Sequence, residues 1–403
     1  MRARTRTQRS IAFKVAAMAL TAAVLTACST AVTGTPIRDP GFDPLAANPA
    51  LMRPGNYPTS PGQPPEHTRQ TELIIEGQRM ADYVVGPWEI DPALVEDTQT
   101  NTLVLKGVEA LSMILVDPGT DIGRRHGFVN GFVTQRFTES DQNGPGKVLG
   151  NAVFRFPNPE EATRAADEMA AQLKPPPGSS EPMPIPVPGH PEARAITYTG
   201  MDGRAEVWSF AARGIYVLHQ QTRAPGNPDV AVDMVAKTLD LQGPRIDEFT
   251  PTDPSQFATM DLDPTGLIVR TLPADNPTVN AGVWTARANL NFQYDPIAAE
   301  EQFTASGVDE VSMGKTRVYQ ARDAAAATAL AEKQAAEWGD GAEPGPTVPG
   351  LPAARCFLEK ADAQNSTYGC VAPADRWVIT ATSLQDFDVT QLVAAQYLLL
   401  VGK

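Results

Sequence analysis

The chain has few of the side chains that metal sites and redox centres require. It contains three cysteines and four histidines in 403 residues. The Cys-x-x-Cys spacing of redox-active pairs is absent. The four histidines are His67, His126, His190 and His219. None of them lies at metal-ligand spacing from another or from a cysteine, so the sequence predicts no metal site and no cofactor.

Positive charge is also scarce. The chain has 33 Lys and Arg against 47 Asp and Glu, and five of the basic residues lie within the first 27 positions. Without that segment, 28 basic residues face 47 acidic ones, which gives a net charge of −19. Nucleic acid and anionic lipid headgroups carry the same sign of charge. We therefore expect no nucleic-acid partner.

Residues 1–27 have the pattern of a lipoprotein signal peptide. They contain basic but no acidic residues and continue into an apolar run over 15–25, which is too short for a spanning helix. The run ends in LTAC at 25–28, which resembles the bacterial lipobox. We expect cleavage before Cys28 and acyl chains, palmitate among them, on that cysteine. Two or three chains would anchor the protein firmly to the outer face of the cell membrane.

A segment rich in proline and glycine follows the lipobox. Residues 34–70 show no hydrophobic period, which is typical of an extended chain without a core of its own. We predict a tether over 28–70. The remainder is long enough for two domains with full cores.

An internal repeat divides that remainder into two halves. VPGHPEAR at 187–194 matches VPGLPAAR at 348–355 with a spacing of 161 residues, and the same spacing aligns the strands GIYVLH and DRWVIT. Upstream, 152–156 corresponds to 316–320, and an alanine-rich helix follows each segment. Each half is therefore predicted to run strand, helix, proline-rich loop, strand, strand, helix.

Local signals agree with this order of elements. Asn158 and Pro159 are typical of a helix start, and Asp323 can cap the corresponding helix of the second half. Short runs of alternating β-branched and aromatic residues predict strands. We expect an α+β fold of two tandem, repeated domains, 71–247 and 248–403, each an antiparallel sheet with helices packed on one face.

The repeat also places the two cysteines that carry no lipid. Cys356 and Cys370 form an even pair in an oxidising compartment, which predicts a disulfide. They align with Ala195 and Ser209, so the bridge would tie paired strands of the second half only. Closing a loop of roughly 15 residues would contribute on the order of 3 kcal/mol in the chain-entropy model.

Six segments of the sequence are distinctive. They are the lipobox, EGQRMADYVVGPWEIDPALV at 76–95, HGFVNGF at 126–132, VFRFPNPEEATRAADEMA at 153–170, GVDEVSMGKTRVYQARD at 307–323 and CVAPADRWVITATSLQD at 370–386. Through these segments, most of the chain after Cys28 resembles an uncharacterised family of actinobacterial conserved lipoproteins, a domain of unknown function with a companion C-terminal domain. The resemblance implies a location in the cell envelope and a plan of two domains, but no activity.

Two short strings imitate catalytic motifs. Residues 261–265 (DLDPT) fit the Asp-x-Asp-x-Thr pattern of haloacid-dehalogenase-type phosphatases, but no buried hydrophobic strand precedes them. Residues 312–315 (SMGK) fit Ser-x-x-Lys, but the repeat places Lys315 at the entry to a strand instead of one helical turn after the serine. We interpret both as structural segments.

One cluster is a candidate ligand site. Arg124, Arg125 and His126 form a positive patch in an acidic protein, and guanidinium groups can hold a carboxylate or a phosphate. A solvated loop with salt bridges to nearby acids is the alternative.

The sequence favours a non-enzymatic envelope lipoprotein that binds a small molecule or lipid, or acts as a scaffold for another envelope protein. The cleft between the two halves is the expected place for a ligand, since pockets favour domain interfaces. A hydrolase of envelope lipid or peptidoglycan is the alternative. No nucleophile and base at motif spacing support it, although such groups meet only in the fold.

Overall fold

The structure is a computed structural model that describes residues 46–97, 101–141, 144–275, 278–360 and 366–402. These residues belong to one compact unit, Leu45–Lys403. The signal peptide, Cys28 and the first part of the expected tether lie outside the described residues.

The helices are α1 (Arg69–Ala81), α2 (Gly119–Arg125), α3 (Pro159–Gln172), α4 (Asp229–Asp247), α5 (Ala286–Asn289), α6 (Pro296–Ser306), α7 (Ala324–Gly339) and α8 (Asp386–Val401). The strands are β1 (Leu103–Leu105), β2 (Asn130–Phe137), β3 (Ser140–Asp141), β4 (Gly144–Pro145), β5 (Val148–Arg155), β6 (Met183–Pro184), β7 (Arg194–Thr199), β8 (Ala205–Arg213), β9 (Tyr216–Ala224), β10 (Gly282–Thr285), β11 (Glu310–Met313), β12 (Thr316–Gln320), β13 (Glu343–Pro344), β14 (Arg355–Lys360), β15 (Ser366–Ala374) and β16 (Trp377–Ser383).

The strands form two seven-stranded sheets with the same plan. The first has the order β1-β2-β5-β9-β8-β7-β6 and the second β10-β11-β12-β16-β15-β14-β13, while β3 and β4 form a separate ribbon. All strand pairs in both large sheets are antiparallel. The predicted α+β class with two repeated antiparallel sheets is confirmed.

The expected placement of helices on one face of each sheet is wrong, because helices cover both faces. In β5, Ala152 packs in a cluster with Met169 of α3, while its neighbour Val153 packs in a cluster with Val235 of α4. In the second half, α7 and α8 lie on opposite faces in the same way. Seven consecutive residues of β5 are buried, as happens when a sheet has no solvated face.

Strand pairing gives an equivalence between the two sheets that differs by one residue from the alignment of 152–156 with 316–320. Val153 pairs with Leu218, and Val318 pairs with Ile379. Since β9 and β16 align at a spacing of 161, Val153 is equivalent to Val318. A shift of one residue moves every side chain to the other face of a sheet.

A buried glutamine of α4 ties this last helix of the first half to a loop and to the sheet. The side-chain oxygen of Gln242 accepts from the backbone N–H of Val85 at 2.9 Å and from the amide of Asn151 at 2.8 Å. Its amide nitrogen donates to the carbonyl of Tyr83 at 2.9 Å. All of its polar atoms are thus satisfied, as a buried amide requires.

Gln396 of α8 repeats this arrangement in the second half. It accepts from the N–H of Leu272 at 2.9 Å and from the hydroxyl of Thr316 at 2.6 Å, and it donates to the carbonyl of Arg270 at 2.7 Å. Thr316 and Asn151 occupy equivalent strand positions. The repeat therefore extends to buried polar groups that local sequence patterns do not reveal.

A fully buried arginine joins the two halves. The guanidinium of Arg136, on β2, donates to the carbonyl oxygens of Val95 at 2.7 Å, Asn291 at 2.9 Å and Gln293 at 2.8 Å. Two of these acceptors belong to the second half. The first sheet therefore positions the loop that leads into α6.

The start of the described chain lies against the second half. We call residues 46–65 the N-terminal strap. Within it, Met52 is buried in the apolar cluster of α8, and the Tyr57 hydroxyl donates to Asp388 at 2.7 Å. The unstructured tether expected over 28–70 is therefore corrected for this part, which contains a short helical turn at Pro49–Leu51 and contacts the second half through a few residues.

The disulfide between Cys356 and Cys370 is present. The two residues are direct cross-strand partners on β14 and β15, and Ala195 and Ser209 pair in the same way in the first sheet. The bridge thus ties strands of the second half, as expected from the repeat.

Candidate functional site

An open cleft of about 1110 Å³ lies in the second half, over the face of the sheet that packs against α7. Side chains of β12 and β16 line it from the sheet, and side chains of α6 and α7 line it from the helical layer. The groups that decide its chemistry are Arg317, Thr380, Thr382, Gln302, Gln334 and Trp338.

The same place in the first half is almost closed. Arg317 pairs across the strands with Thr380, and Ala152 pairs with His219, so these two pairs occupy equivalent positions. The pocket that Ala152 and His219 line measures about 50 Å³. The two halves share a fold but differ in this space.

Aromatic packing fills the space in the first half. The His219 ring stacks on Phe210 with centroids 4.3 Å apart and on Phe154 at 5.7 Å. Met113 and Ile114 line what remains of the pocket. Burial lowers the pKa of His219 to about 4, so this imidazole is uncharged at neutral pH.

In the second half, an aromatic wall comes from the helical layer. Gly369 occupies the strand position equivalent to Trp208, since their cross-strand partners Thr382 and Gln221 lie 161 residues apart. The indole of Trp338, on α7, packs directly on Gly369, where an added Cβ would lie 2.0 Å from Cζ2. Because Gly369 has no side chain, the indole of Trp338 can pack against the strand and line the cleft.

Two polar groups in the cleft retain unused hydrogen-bonding capacity. Arg317 donates to the carbonyl of Phe292 at 3.2 Å, and among the described residues no carboxylate lies within ion-pair distance of it. The buried Oε1 of Gln334 has no hydrogen-bond partner in the described part of the chain. Buried polar atoms of this kind are uncommon in folded proteins.

Asp295 and Glu337, two of the four acidic residues that line the cleft, have polar partners. Asp295 caps α6 by accepting from two backbone N–H groups at 2.9 Å. Glu337 accepts from the amide of Gln302 at 2.9 Å and lies 3.2 Å from the Lys333 ammonium. Lys315, the other cation of the lining, forms an ion pair with Asp275. Of the two cations in the lining, Arg317 is thus the one without a carboxylate partner among the residues that the structure describes.

The candidate cluster at 124–126 lies at the end of α2, far along the chain from this cleft. Arg124 pairs with Glu109 and Asp121 at 2.6 Å each, and Arg125 pairs with Glu168 at 2.5 Å. Its basic groups are already matched by acids. An anion site there stays a prediction.

His126 connects α2 to α3. Its two ring nitrogens each lie 2.7 Å from a carboxylate oxygen, one of Glu161 and one of Glu168. Hydrogen bonds from His126 hold the pKa of both carboxyls below the usual range. These contacts stabilise the packing of the two helices.

The motif-like strings have structural surroundings. The carboxylate of Asp263 accepts from the backbone N–H groups of Ile268 and Val269 at 3.0 and 3.2 Å, so it organises a turn. Ser312 is buried in β11. Within the described ranges, no group of three His, Cys, Asp or Glu side chains is arranged to hold a metal ion.

Sequence reasoning missed the cleft because of the register. The sequence alignment made Arg317 equivalent to Val153, whose side chain faces α4. In the structure, Arg317 is equivalent to Ala152, whose side chain faces the other side of the sheet. An arginine within the strand TRVYQ was the available signal.

The interface between the halves, where a ligand was expected, is packed with aromatic side chains. Trp284 lies 6.0 Å from Phe132 and 4.6 Å from Phe292 between ring centroids. These contacts fill the part of the interface around Trp284, and a ligand site between the halves stays a prediction.

No helix in the part of the chain that the structure describes is both long and apolar enough to cross a membrane.

Among curated proteins, none matches the chain. Among solved structures, the extracellular domain of PknH from Mycobacterium tuberculosis is similar, with 12% identity and a TM-score of 0.30, over 46% of this chain and 99% of that one. A TM-score this low carries no argument about fold or function.

Family comparison gives matches on both halves. Residues 63–262 match the N-terminal part of a domain of unknown function, DUF7373, and residues 267–403 match its C-terminal part. The two matches together span the two sheets. The chain therefore belongs to the DUF7373 family.

Proposed function

We propose that this protein is a non-enzymatic, ligand-binding lipoprotein of the cell envelope, held by lipid on Cys28 at the outer face of the membrane. The basic start, the short apolar run and the LTAC sequence at 25–28 support the anchor. The acidic composition of the remaining chain argues against nucleic acid as a ligand.

The ligand site in this proposal is the cleft between α6, α7 and the second sheet. The observation that carries it is the contrast between the halves, since one position is open to about 1110 Å³ and its equivalent is closed to about 50 Å³. Pockets that bind small molecules are typically several hundred Å³ or more. A repeat that served packing alone would have no need of this difference.

A mass measurement on the intact protein tests the proposal. The full chain is produced in its host, extracted in mild detergent and examined by native mass spectrometry for a reproducible extra mass. Ala298 lines the cleft from α6, so Ala298→Trp places an indole in the space. We expect the wild type to carry the extra mass and this variant to lose it.

Ala325→Trp is the matched control, because Ala325 is an exposed residue of α7 that does not line the cleft. It is expected to retain the extra mass. A wild-type chain that carries none, or an Ala298→Trp chain that keeps it, would contradict the cleft as the ligand site.

A further inference from the structure

We propose that the cleft selects an acidic sugar, that is, a ligand with one carboxylate or phosphate group beside several hydroxyls. This inference rests on the proposed function, because it assumes that the cleft is the ligand site. The inference says which part of the ligand each polar side chain with unused hydrogen-bonding capacity would recognise.

Arg317 is the anchor for the anionic group. Its guanidinium presents five N–H donors in a planar fork, and the carbonyl of Phe292 takes one donor nitrogen. Among described residues it has no acidic partner, although it is partly buried. A carboxylate or phosphate oxygen pair matches this fork geometrically and electrostatically.

Thr380 completes the anion site. It is the direct cross-strand partner of Arg317 and lines the same cleft, so its hydroxyl lies on the same face of the sheet as the guanidinium. Thr382 follows two residues later, also on this face. The equivalent pair in the first half is Ala152 and the uncharged His219, which offers no such site.

The rest of the lining suits a ring with hydroxyl groups. Gln334 lines the cleft and its buried Oε1 has no hydrogen-bond partner among the described residues, so a rotation of this side-chain amide would let it pair with a sugar hydroxyl. The indole of Trp338 supplies a flat apolar surface for the C–H face of the ring. Tyr294, with 89% of its surface exposed, adds a second aromatic ring at the cleft.

The acids of the lining limit the ligand to a small negative charge. Asp295, Glu337, Asp340 and Glu359 line the cleft with Lys315 and Arg317, and Lys315 is already paired. A ligand with several anionic groups would therefore meet more repulsion than one whose single anionic group lies at Arg317.

Calorimetric titration of the ligand-free full chain in detergent tests the assignment. The probes are D-glucuronate, D-glucose 1-phosphate and D-glucose, which differ in the presence and kind of the anionic group. We expect at least one acidic probe to bind more tightly than glucose by about 10-fold or more, as a charge-assisted hydrogen bond implies. The tighter of the two acidic probes then identifies carboxylate or phosphate as the natural group.

Arg317→Gln is expected to reduce the affinity for the acidic probe to that for glucose. Arg317→Lys retains the positive charge but not the planar fork of donors, so its affinity for the acidic probe is expected to lie between those of the wild type and Arg317→Gln. Arg355→Gln is the matched control, since Arg355 is exposed and donates only to backbone carbonyls. Thermal melting of each variant verifies that the fold is intact.

Equal binding of all three sugars, unaffected by Arg317→Gln, would overturn the acidic-sugar assignment. So would the failure of every probe to bind a folded, ligand-free chain. In both cases the mass measurement with Ala298→Trp still decides whether the cleft holds a ligand of another class, so the two proposals fail separately.

Discussion

His219 is a buried histidine that forms part of the closed pocket of the first half. It is 3% exposed, its ring lies between two phenylalanine rings, and its Nδ1 lies 3.0 Å from the carbonyl of Ser209. A carbonyl only accepts, so Nδ1 carries the proton. Desolvation by burial lowers the pKa from 6.5 to about 4, and the hydrogen bond to Ser209 offsets part of that effect.

This histidine makes the stability of the fold depend on pH. Between pH 6.5 and about 4 the unfolded chain binds a proton at this residue and the folded chain does not. Its stabilising effect is thus fully present above pH 6.5 and is lost as the pH falls towards 4. The loss amounts to about 3 kcal/mol, at 1.36 kcal/mol per pKa unit. We expect His219→Gln to remove this contribution in urea unfolding at pH 7.5 and pH 4.5.

His67→Gln serves as the control, because His67 is exposed near the start of α1. The difference in the free energy of unfolding between pH 7.5 and pH 4.5 is expected to equal that of the wild type. Carboxylates contribute to this difference in both proteins. If His219→Gln and His67→Gln show the same pH dependence, the account of His219 is wrong.

At the scale of elements, the contact between β15 and α7 shapes the cleft. Trp338 packs on Gly369 so closely that a Cβ would overlap the indole. Gly369→Ala should push the indole away from the sheet and destabilise the fold by about 1 to 3 kcal/mol, as overpacking does. Chemical denaturation measures the free energy of unfolding.

A double-mutant cycle with Trp338→Ala separates this contact from a general cost of alanine in the strand. If the overlap is the cause, Gly369→Ala should cost little once the indole is removed. Gly107→Ala is the control, since Gly107 has φ 166° and no atom within 4 Å of a built Cβ. An unchanged cost of Gly369→Ala in the Trp338→Ala background would contradict the account.

Local sequence signals predicted the elements better than their arrangement. Asn158 and Asp323 cap α3 and α7 as expected, each accepting a backbone N–H. The repeat aligned Cys356 and Cys370 with a correct pair of positions, and the two cysteines pair across neighbouring strands as expected. These features depend on a few neighbouring residues or on a spacing read within one gapless segment.

The prediction that helices cover one face of each sheet was wrong, for a physical reason. Residues on both sides of β5 are buried, and the neighbouring apolar residues Ala152 and Val153 give no period that distinguishes one covered face from two. The cleft depends on which side of the sheet each side chain faces, because Arg317 and Thr380 are brought together by the pairing of β12 with β16. A one-residue error in register conceals such a site.

At the scale of the whole molecule, the two halves belong to one compact unit. Trp284 belongs to the second sheet but packs in the apolar core of the first, and Arg136 is buried between the halves. The N-terminal strap packs on the second half before the chain enters α1. The first half thus packs closely against the second half, which contains the open cleft.

The most direct test of the central claim, that the cleft of the second half is the ligand site, is a crystal structure of the protein purified from its host. The account predicts electron density for a bound molecule between α6, α7 and the second sheet, in contact with Arg317 and Thr380. Density for a ligand elsewhere, or side chains that fill the cleft as they fill its counterpart in the first half, would contradict it.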